Sequence, residues 1–505
     1  MAMAKAWSVG LLGVDGVPVE IEADVGAGLP GVRLLGRLDA VVNESKDRVR
    51  AALRNVGESW PRQRVTLALS PAALQKTGAG YDLALACVVL AAAGALPAER
   101  LTGTLLFGEL ALDGRLRPVR GVLPALLAGR AAGLRTAVVP VEALPEAALV
   151  DGVRALGAAD LGAVVRWLRE GEPLSSTVAT VSERPPAPEL ADVIGQPTAR
   201  RALEIAAAGG HHLLLAGPPG TGKTMLARRL SGLLPELSRA DALEVTTIHS
   251  LAGLLTPDAP LVTSPPFVAP HHATTVPGLV GGGSGVARPG AVSCAHRGVL
   301  FADEACEFGA HRLEALRTAV EEGEVRIARS HGIARYPARC QLVLATNLCP
   351  CAPPRDTDCV CSPTARRKYF GRLSGPLLDR VDLRVRTRPV LAMTPAGADV
   401  APEETTAVVR ERVRRARQRA AERWADHGWR TNAEVPGSAL RGRFRPPPTV
   451  LAVLDRGLCE GSVTARGADR CLRVAWTLCD LAEQERPTEE HVTRALEFRD
   501  WRMPA

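Results

Sequence analysis

The sequence predicts an α/β protein that ends in an all-α domain. Short apolar strands alternate with Ala-rich helices in residues 1–172, which indicates a mixed α/β domain. In residues 189–390 a strand, a Gly-rich turn and a helix recur, as in a parallel sheet covered by helices on both faces. Residues 391–505 are predicted to be almost entirely helical, and the Ser/Thr/Pro-rich segment 173–188 has the composition of a linker.

The composition is that of a globular protein with more than one domain. A chain of 505 residues exceeds a single compact core, and 46% of its residues are apolar against 23% charged. No run of about 18 apolar residues is free of charge, Gly and Pro, and the first residues make a poor signal peptide, so we expect a cytoplasmic protein without a membrane partner. The net charge of 62 − 54 = +8 is compatible with nucleic acid, and the eleven Cys should be mostly reduced.

A phosphate-binding loop (P-loop) is the most specific motif. An apolar strand at 212–216 runs directly into Gly217-Pro218-Pro219-Gly220-Thr221-Gly222-Lys223-Thr224, and a helix follows. The glycines let backbone N–H groups turn toward phosphate oxygens, and the helix N-terminus adds a partial positive charge. Lys223 is expected to reach the β- and γ-phosphates of ATP, and Thr224 to ligate Mg²⁺.

Two further apolar strands end in polar side chains. The strand at 298–302 leads into Asp303 and Glu304, and the strand at 341–346 leads into Asn347. Ligands bind open α/β sheets at the carboxyl ends of the strands, so these side chains should lie beside the P-loop. Asp303 would hold the Mg²⁺ shell, Glu304 would act as general base on the attacking water, and Asn347 would orient that water.

Three arginines are candidates for contact with the nucleotide. Arg380 follows a short predicted helix, and its guanidinium, aimed at the γ-phosphate of a neighbouring subunit, would stabilise the charge of the transferring group. Arg372 competes for that role. Arg466 lies in a predicted helix-start region of the last domain, from which it could fold back over the same nucleotide.

A basic hairpin is predicted just before the Asn347 strand. Alternating residues on either side of a Ser-His-Gly tip indicate two strands with basic side chains on one face. The candidate contacts to DNA phosphates are Arg326, Arg329, His331 and Arg335. An ordinary solvated hairpin is the alternative. The Gly-rich segment 270–290 is a second candidate loop, whose His271 and His272 could be structural or metal ligands.

Four cysteines form a candidate Zn²⁺ site. Two Cys-x-Cys pairs lie within 13 residues, at Cys349, Cys351, Cys359 and Cys361. Tetrahedral Zn²⁺ takes four thiolates at about 2.3 Å, and two short knuckles can converge to supply them. Free thiols or a redox pair are the alternatives, and four filled positions favour a structural role.

The ordered motifs resemble the magnesium-chelatase-like AAA+ family of the ComM/YifB type. They are Asp192–Gln196 (DVIGQ), the P-loop, Pro270–His272 (PHH), Gly298–Glu304, Val343–Asn347, Cys349–Cys351, Ser374–Arg380 and Thr464–Gly467 (TARG). The resemblance covers nearly the whole chain. It implies ATP-hydrolysing subunits assembled into a ring, usually a hexamer, with Arg380 as arginine finger and Arg466 as the sensor-2 arginine.

The N-terminal block resembles the proteolytic domain of Lon, a ribosomal S5-type α/β fold. Lon-type proteases use a Ser nucleophile activated by a Lys. Gly80 stands where we expect the Ser and Leu123 where we expect the Lys, so the domain is predicted to be proteolytically inactive. A displaced dyad of Ser70 and Lys76 is the alternative.

The family resemblance also implies a function. Its ComM branch implies a DNA helicase that promotes branch migration during recombination of incoming DNA, as in natural transformation. A chelatase-type motor for metal insertion into a porphyrin shares the ATPase core. A third possible function is an ATP-dependent protease, but Gly80 and Leu123 stand where its catalytic Ser and Lys are expected. A fourth is a nucleotide-gated scaffold without enzymatic activity, but Lys223, Glu304 and Arg380, which hydrolysis requires, are all present.

Overall fold

A computed structural model describes residues 2–177, 187–283, 287–329, 332–355, 358–389 and 403–499. It contains a seven-stranded mixed sheet, a five-stranded parallel sheet and a C-terminal group of helices. The predicted α/β fold with an all-α C-terminal end is therefore confirmed. Among the described helices, none combines the length and the hydropathy that a bilayer crossing requires.

The N-terminal sheet has the order β11-β10-β7-β1-β2-β5-β3. The elements of this region are β1 (Ala2–Leu12), β2 (Asp15–Gly26), β3 (Gly31–Leu35), β4 (Arg37–Leu38), α1 (Ala40–Asn55), β5 (Arg64–Ser70), β6 (Gln75–Lys76), α2 (Asp82–Ala92), β7 (Thr104–Leu106), β8 (Glu109–Leu110), β9 (Leu116–Arg117), α3 (Val122–Ala131), β10 (Thr136–Pro140), α4 (Leu144–Ala147), β11 (Arg154–Ala158) and α5 (Leu161–Glu170). Every residue of α2 is buried, which explains its continuous run of Ala, Val, Leu and Cys. It packs against β1 and β2.

The second sheet is parallel throughout, in the order β13-β16-β19-β12-β20. The elements here are α6 (Pro197–Gly209), β12 (Leu213–Ala216), α7 (Lys223–Leu233), α8 (Arg239–Ala252), β13 (Phe267–Val268), α9 (Val276–Val280), β14 (Gly281–Gly282), β15 (Arg288–Pro289), α10 (Ala291–Cys294), β16 (Val299–Ala302), α11 (Ala310–Glu322), β17 (Glu324–Arg329), β18 (Gly332–Pro337), β19 (Gln341–Thr346), α12 (Pro363–Phe370), α13 (Gly375–Leu378) and β20 (Leu383–Arg386). Leu213 and Leu215 belong to one core cluster, and Leu214 and Ala216 to another. Both faces of β12 are thus buried, which requires an uninterrupted apolar strand.

The C-terminal helices are α14 (Thr406–Trp424), α15 (Gly437–Arg441), α16 (Pro448–Cys459), α17 (Ala465–Leu481) and α18 (Glu489–Glu497). In α14 the buried positions Val409, Val413, Ala416, Ala420 and Trp424 recur every three or four residues and pack into the core cluster that also holds α6 and α7. The charged residues of α14 include ion pairs such as Arg414 with Glu411 at 2.7 Å, as expected of a solvated face.

The N-terminal region and the parallel-sheet region share apolar cores. Ala242 of α8 and Leu261 pack among N-terminal residues, while Leu12 and Val14, at the β1–β2 turn, pack against the cluster around the parallel sheet. At this turn the Val14 amide donates to the Arg335 carbonyl of β18 at 3.2 Å. The β1–β2 turn is therefore fixed directly to the β17–β18 hairpin.

Candidate active site

The P-loop connects the carboxyl end of β12 to the first residue of α7. Gly220 and Gly222 have φ of 75° and 81°, in the left-handed region that glycine adopts at no steric cost. A Cβ on Gly217 would lie 2.2 Å from Oγ1 of Thr387, so only glycine fits there. Thr387 follows β20, and its Oγ1 lies 2.7 Å from Oγ1 of Thr221. This hydrogen bond holds the P-loop against the end of β20.

Lys223 lies at the centre of the polar groups. Its Nζ donates to the Gly217 and Pro218 carbonyls, each at 2.8 Å, and to Oδ1 of Asn347 at 3.1 Å. Burial lowers the pKa of Lys223, against the opposing effect of the Asp303 carboxylate. The ammonium group is thus already directed into the loop where phosphates would bind.

Thr224 and Asp303 form a pair suited to Mg²⁺. The Thr224 hydroxyl donates to Oδ2 of Asp303 at 2.7 Å. Adjacent oxygens in an octahedral Mg²⁺ shell lie about 3 Å apart, since each is about 2.1 Å from the ion. The two oxygens therefore fit neighbouring positions of one Mg²⁺ shell.

Glu304 follows Asp303 in an unusual backbone conformation. Its φ of 50° lies in the left-handed region, which is uncommon for a residue with a side chain. Its carboxylate is half exposed, and Oε2 lies 3.1 Å from Nδ1 of His272. His272 also packs against His271, with ring centroids 4.1 Å apart. Neither histidine belongs to the groups of potential metal ligands found among the described residues.

Arg380 lies at the opposite edge of the parallel sheet. The P-loop, Glu304 and Asn347 follow the carboxyl ends of β12, β16 and β19, whereas Arg380 precedes the amino end of β20. Along the four residues of β12 these edges are about 13 Å apart. Arg380 pairs with Glu321 of α11 and donates to the Pro376 carbonyl at 2.5 Å, which leaves the guanidinium largely buried.

Arg372 lies near the carboxyl edge instead. Its guanidinium pairs with Glu307 at 2.8 Å and lies 5.6 Å from the centroid of the Tyr369 ring. Glu307 follows β16 by a few residues, so Arg372 packs on the side of the chain's own P-loop. The two competing arginines therefore lie at opposite edges of the parallel sheet.

Arg466 lines the same cavity as Arg380. This cavity, of about 900 Å³, opens at the amino edge, where His212, Gly298 and Gln341 lie at the starts of three strands. None of the P-loop residues lines it. The exposed Arg466 lies in the first turn of α17, and Arg470 of the same helix forms an ion pair at 3.0 Å with the buried Asp382, which precedes β20. Arg466 therefore lies at the amino edge with Arg380, and its contact with a nucleotide stays a prediction.

A second cavity, of about 570 Å³, lies beside the P-loop. It is lined by residues 195–198 and by the end of β20. Gln196 connects it to the P-loop, because Nε2 donates to the Thr221 carbonyl at 3.4 Å.

The basic hairpin is present as β17 and β18, with Arg326 directly opposite Arg335. Both side chains are exposed, together with Ile333. The expectation that all the arginines share one face is wrong for Arg329, which is an odd number of residues from Arg326 and therefore on the other face. Arg329 donates to the Gly283 carbonyl at 2.7 Å. His331 lies outside the described residues.

The four predicted cysteines converge. Their Sγ atoms all lie within 4.8 Å of one another, with Cys349 at 3.3 Å from Cys351 and 3.4 Å from Cys359. Four sulfurs at about 2.3 Å from Zn²⁺ are about 3.8 Å apart. The cluster therefore fits Zn²⁺. No cysteine of the described chain forms a disulfide bond.

The Lon-like region has no space for a nucleophile at its expected position. A Cβ on Gly80 would lie 2.7 Å from Cε2 of Phe107. Leu123 is fully buried near the start of α3, where its amide donates to Oε1 of Glu146 at 2.7 Å. The alternative base, Lys76, is fully buried, and its amine donates to the Pro71 carbonyl.

Three contacts at the site were not foreseen from the sequence. Thr387 braces the P-loop, Glu321 pairs with Arg380, and His272 contacts Glu304. The Pro270–His272 motif gave a signal for the third, although its partner was unknown. No local sequence pattern predicts the contacts of Thr387 or Glu321.

Comparison with known proteins covers most of the chain. A family model described as magnesium chelatase, subunit ChlI, matches residues 189–394, and models of subunit ChlI and of its C-terminal region match residues 21–143 and 403–499. An uncharacterized protein of Mycobacterium tuberculosis is 57% identical over 500 residues, 99% of either chain. Competence protein ComM of Haemophilus influenzae is 38% identical over 505 residues, 99% of this chain and 98% of its own.

The N-terminal region has a relative of its own. Lon protease of Mycolicibacterium smegmatis is 30% identical over 150 residues, which are 28% of this chain and 19% of the protease. The Lon-like resemblance is therefore confirmed together with the chelatase-like one. From the three family matches and the full-length similarity to ComM, the chain belongs to the magnesium chelatase ChlI family of AAA+ ATPases.

Proposed function

We propose that the chain is a cytoplasmic, ring-forming ATPase that moves DNA and promotes branch migration. The observation that carries the DNA part is the cross-strand pair of Arg326 and Arg335 on the exposed face of the hairpin. Arg326 pairs with Glu324 on its own strand, and a bound polyanion would neutralise both arginines and relieve the repulsion between like charges directly opposite each other. The printed name of ComM, a competence protein, supports DNA as that polyanion.

ATP hydrolysis would use the groups at the carboxyl edge. Lys223 would bind the β- and γ-phosphates, and Glu304 would accept a proton from the attacking water while Asn347 orients it. Mg²⁺, held by Thr224 and Asp303, would neutralise part of the phosphate charge when bound. Lys223→Ala should therefore weaken nucleotide binding, whereas Glu304→Gln should bind ATP without turning it over. Hydrolysis that persists in both variants would remove the proposed site.

The arginine finger would act between subunits. Arg380 and Arg466 share the cavity at the amino edge, about 13 Å from the P-loop edge of the same sheet. A neighbour that presents its P-loop to this cavity would bring both arginines to its nucleotide. A head-to-tail contact of this kind closes into a ring when the rotation between subunits permits, and a hexamer is our expectation.

Two other functions share parts of this structure. A chelatase motor uses the same ATPase core, but it gives no reason for the paired arginines of the hairpin. An ATP-dependent protease needs a nucleophile where Phe107 fills the space beside Gly80. The hairpin pair and the filled N-terminal site therefore favour DNA as the substrate.

The deciding experiment is branch migration of a labelled four-way junction. Wild-type protein should convert the junction with ATP and fail with a non-hydrolysable analogue. Protein that hydrolyses ATP but neither binds nor moves any DNA would refute the proposal in favour of a chelatase-type motor. ATP-dependent degradation of casein would refute it in favour of a protease.

A structural Zn²⁺ is part of the proposal. Cys349 and Cys351 follow β19, and the other two ligands, Cys359 and Cys361, precede α12. The ion would therefore tie the segment after Asn347 to the helix that leads toward Arg372 and Arg380. Four protein ligands leave no open position, so the role of the ion would be to hold the fold.

A further inference from the structure

The cavity at the amino edge of the parallel sheet is lined by eight arginines. Seven acidic residues line it as well, so its total charge does not mark an anion site, and its arginines differ in whether they already have a partner. Within the described residues, Arg339 and Arg466 are the two whose guanidinium forms no hydrogen bond or ion pair. The other six are bonded to a carboxylate or to a backbone carbonyl of the same chain; they are Arg297, Arg380, Arg417, Arg430, Arg470 and Arg473.

The backbone of Arg339 is fixed on both sides. Its amide donates to Nδ1 of His296 at 3.0 Å, and its carbonyl accepts from the Arg297 amide at 2.7 Å. One residue earlier, the Ala338 amide donates to the Gly323 carbonyl at 2.8 Å. Arg339 therefore has a defined position at the amino edge, just before β19.

The stem of the Arg339 side chain lies along the end of α11. Gly323, the C-terminal cap of that helix, has a φ of 68°, and an ideal Cβ on it would lie 3.0 Å from Cγ of Arg339. Two residues earlier in the chain, Glu321 pairs with Arg380. The end of α11 therefore contacts both arginines, of which Arg339 is exposed and Arg380 is largely buried.

We propose that Arg339 contacts the nucleotide of the neighbouring subunit beside Arg380. The inference rests on the proposed action of Arg380 between subunits and adds a second residue to that site. Since β19 and β20 lie on either side of β12, the two arginines start about 10 Å apart and can reach different oxygens of one triphosphate.

The surroundings of Arg339 suit this contact. A guanidinium donates to two phosphate oxygens in one plane, and a donor whose backbone and stem are already fixed loses little conformational freedom when the phosphate arrives. Arg339 also has no partner to release, whereas Arg380 would first have to leave Glu321.

The test compares ATP hydrolysis by variants of two exposed arginines of the cavity. Arg339→Ala and Arg339→Gln should each lower kcat about 10- to 100-fold, the effect of losing hydrogen bonds to a charged group. The glutamine variant keeps part of the stem that packs on Gly323, so it replaces the alanine variant if that protein folds poorly by circular dichroism. Arg430→Ala is the matched control, because Arg430 is paired with Asp241 at 2.8 Å, and its kcat should stay near that of wild type.

Mixed rings separate contact with a neighbour's nucleotide from support of the chain's own site. A ring of Arg339→Ala and Lys223→Ala subunits contains boundaries at which an intact P-loop meets intact Arg339 and Arg380, so part of the activity should return. A ring of Arg339→Ala and Arg380→Ala subunits contains none, so no mixture should exceed its more active parent. If Arg339 served only its own P-loop, these two results would be exchanged.

That exchange would overturn the inference, as would a kcat of both Arg339 variants equal to that of wild type. A loss in Arg430→Ala as large as in Arg339→Ala would also overturn it, because the charge of the cavity as a whole would then be responsible. Mixtures of Arg380→Ala and Lys223→Ala that assemble and stay inactive would instead refute the action between subunits on which the inference rests.

Discussion

The paired arginines of the hairpin allow a quantitative test of DNA binding. Arg326 and Arg335 lie directly opposite each other and are exposed, so the double variant Arg326→Ala/Arg335→Ala removes two phosphate contacts from each hairpin. Each lost contact lowers the slope of log affinity against log salt by about 0.7 on single strands and about 0.9 on duplex DNA. The expected decrease is therefore about 1.4 to 1.8 for each hairpin that engages DNA.

The same decrease can be stated as affinities. Raising salt fourfold, from about 50 to about 200 mM, should weaken the double variant about 7- to 12-fold less than wild type for each engaged hairpin. The assay is fluorescence anisotropy with a labelled oligonucleotide at several salt concentrations. Folding should be little affected, because removing two opposed like charges relieves up to about 1 kcal/mol of repulsion, which offsets the loss of the exposed pair between Arg326 and Glu324. Thermal unfolding of both proteins checks this point.

A variant on the other face of the hairpin serves as control. Arg329→Ala also removes one positive charge from the hairpin. The Arg329 side chain, however, lies on the face opposite Arg326 and Arg335, where it donates to the Gly283 carbonyl. Its salt slope should equal that of wild type. The reasoning is refuted if the double variant keeps the wild-type slope, or if Arg329→Ala lowers it by as much as a single exposed arginine would.

Three further predictions follow from the geometry of the remaining sites. Arg380→Ala and Lys223→Ala proteins should each be inactive alone and should regain part of the ATPase activity when they are mixed. Mixed rings that form but stay inactive would contradict the action of Arg380 between subunits. Protein purified without chelator should contain about one Zn²⁺ per chain by elemental analysis, and Cys359→Ser should lose it; a full zinc content in that variant contradicts the site. Gly80→Ser should gain no proteolysis of casein and should unfold at lower temperature, because its Cβ would collide with Phe107; casein cleavage would disprove the inactive assignment.

The nucleotide site could be predicted because its signals are local. Glycines, Lys223 and Thr224 are adjacent in sequence, and parallel strands bring Asp303 and Asn347 to one edge by a general rule. The position of Arg380 also follows from strand polarity, since a residue just before a strand must lie at the amino edge. Such features depend on short stretches of chain and on the direction of strands.

Other contacts could not be predicted, because they depend on how distant segments pack. His272 and Glu304 meet only because β13 and β16 are neighbours, and the pairing of Glu321 with Arg380 depends on where α11 ends. The incorrect prediction that Arg329 shares a face with Arg326 has a different cause. Three residues separate it from Arg326, and the alternation of a β-strand already places them on opposite faces.

The β1–β2 turn has a consequence for how the molecule can be divided. Gly13 has a φ of 65°, and a Cβ there would lie 2.5 Å from the Arg335 carbonyl oxygen, so the turn and the hairpin strand fit together without spare room. Apolar residues of each region complete the core of the other. A protease that cuts once between residues 173 and 188 should therefore yield two fragments that remain associated and co-elute. An isolated fragment of residues 189–505 would expose the apolar surface that Leu12 and Val14 cover, and it would be a poor substitute for the whole chain in any assay of the hairpin.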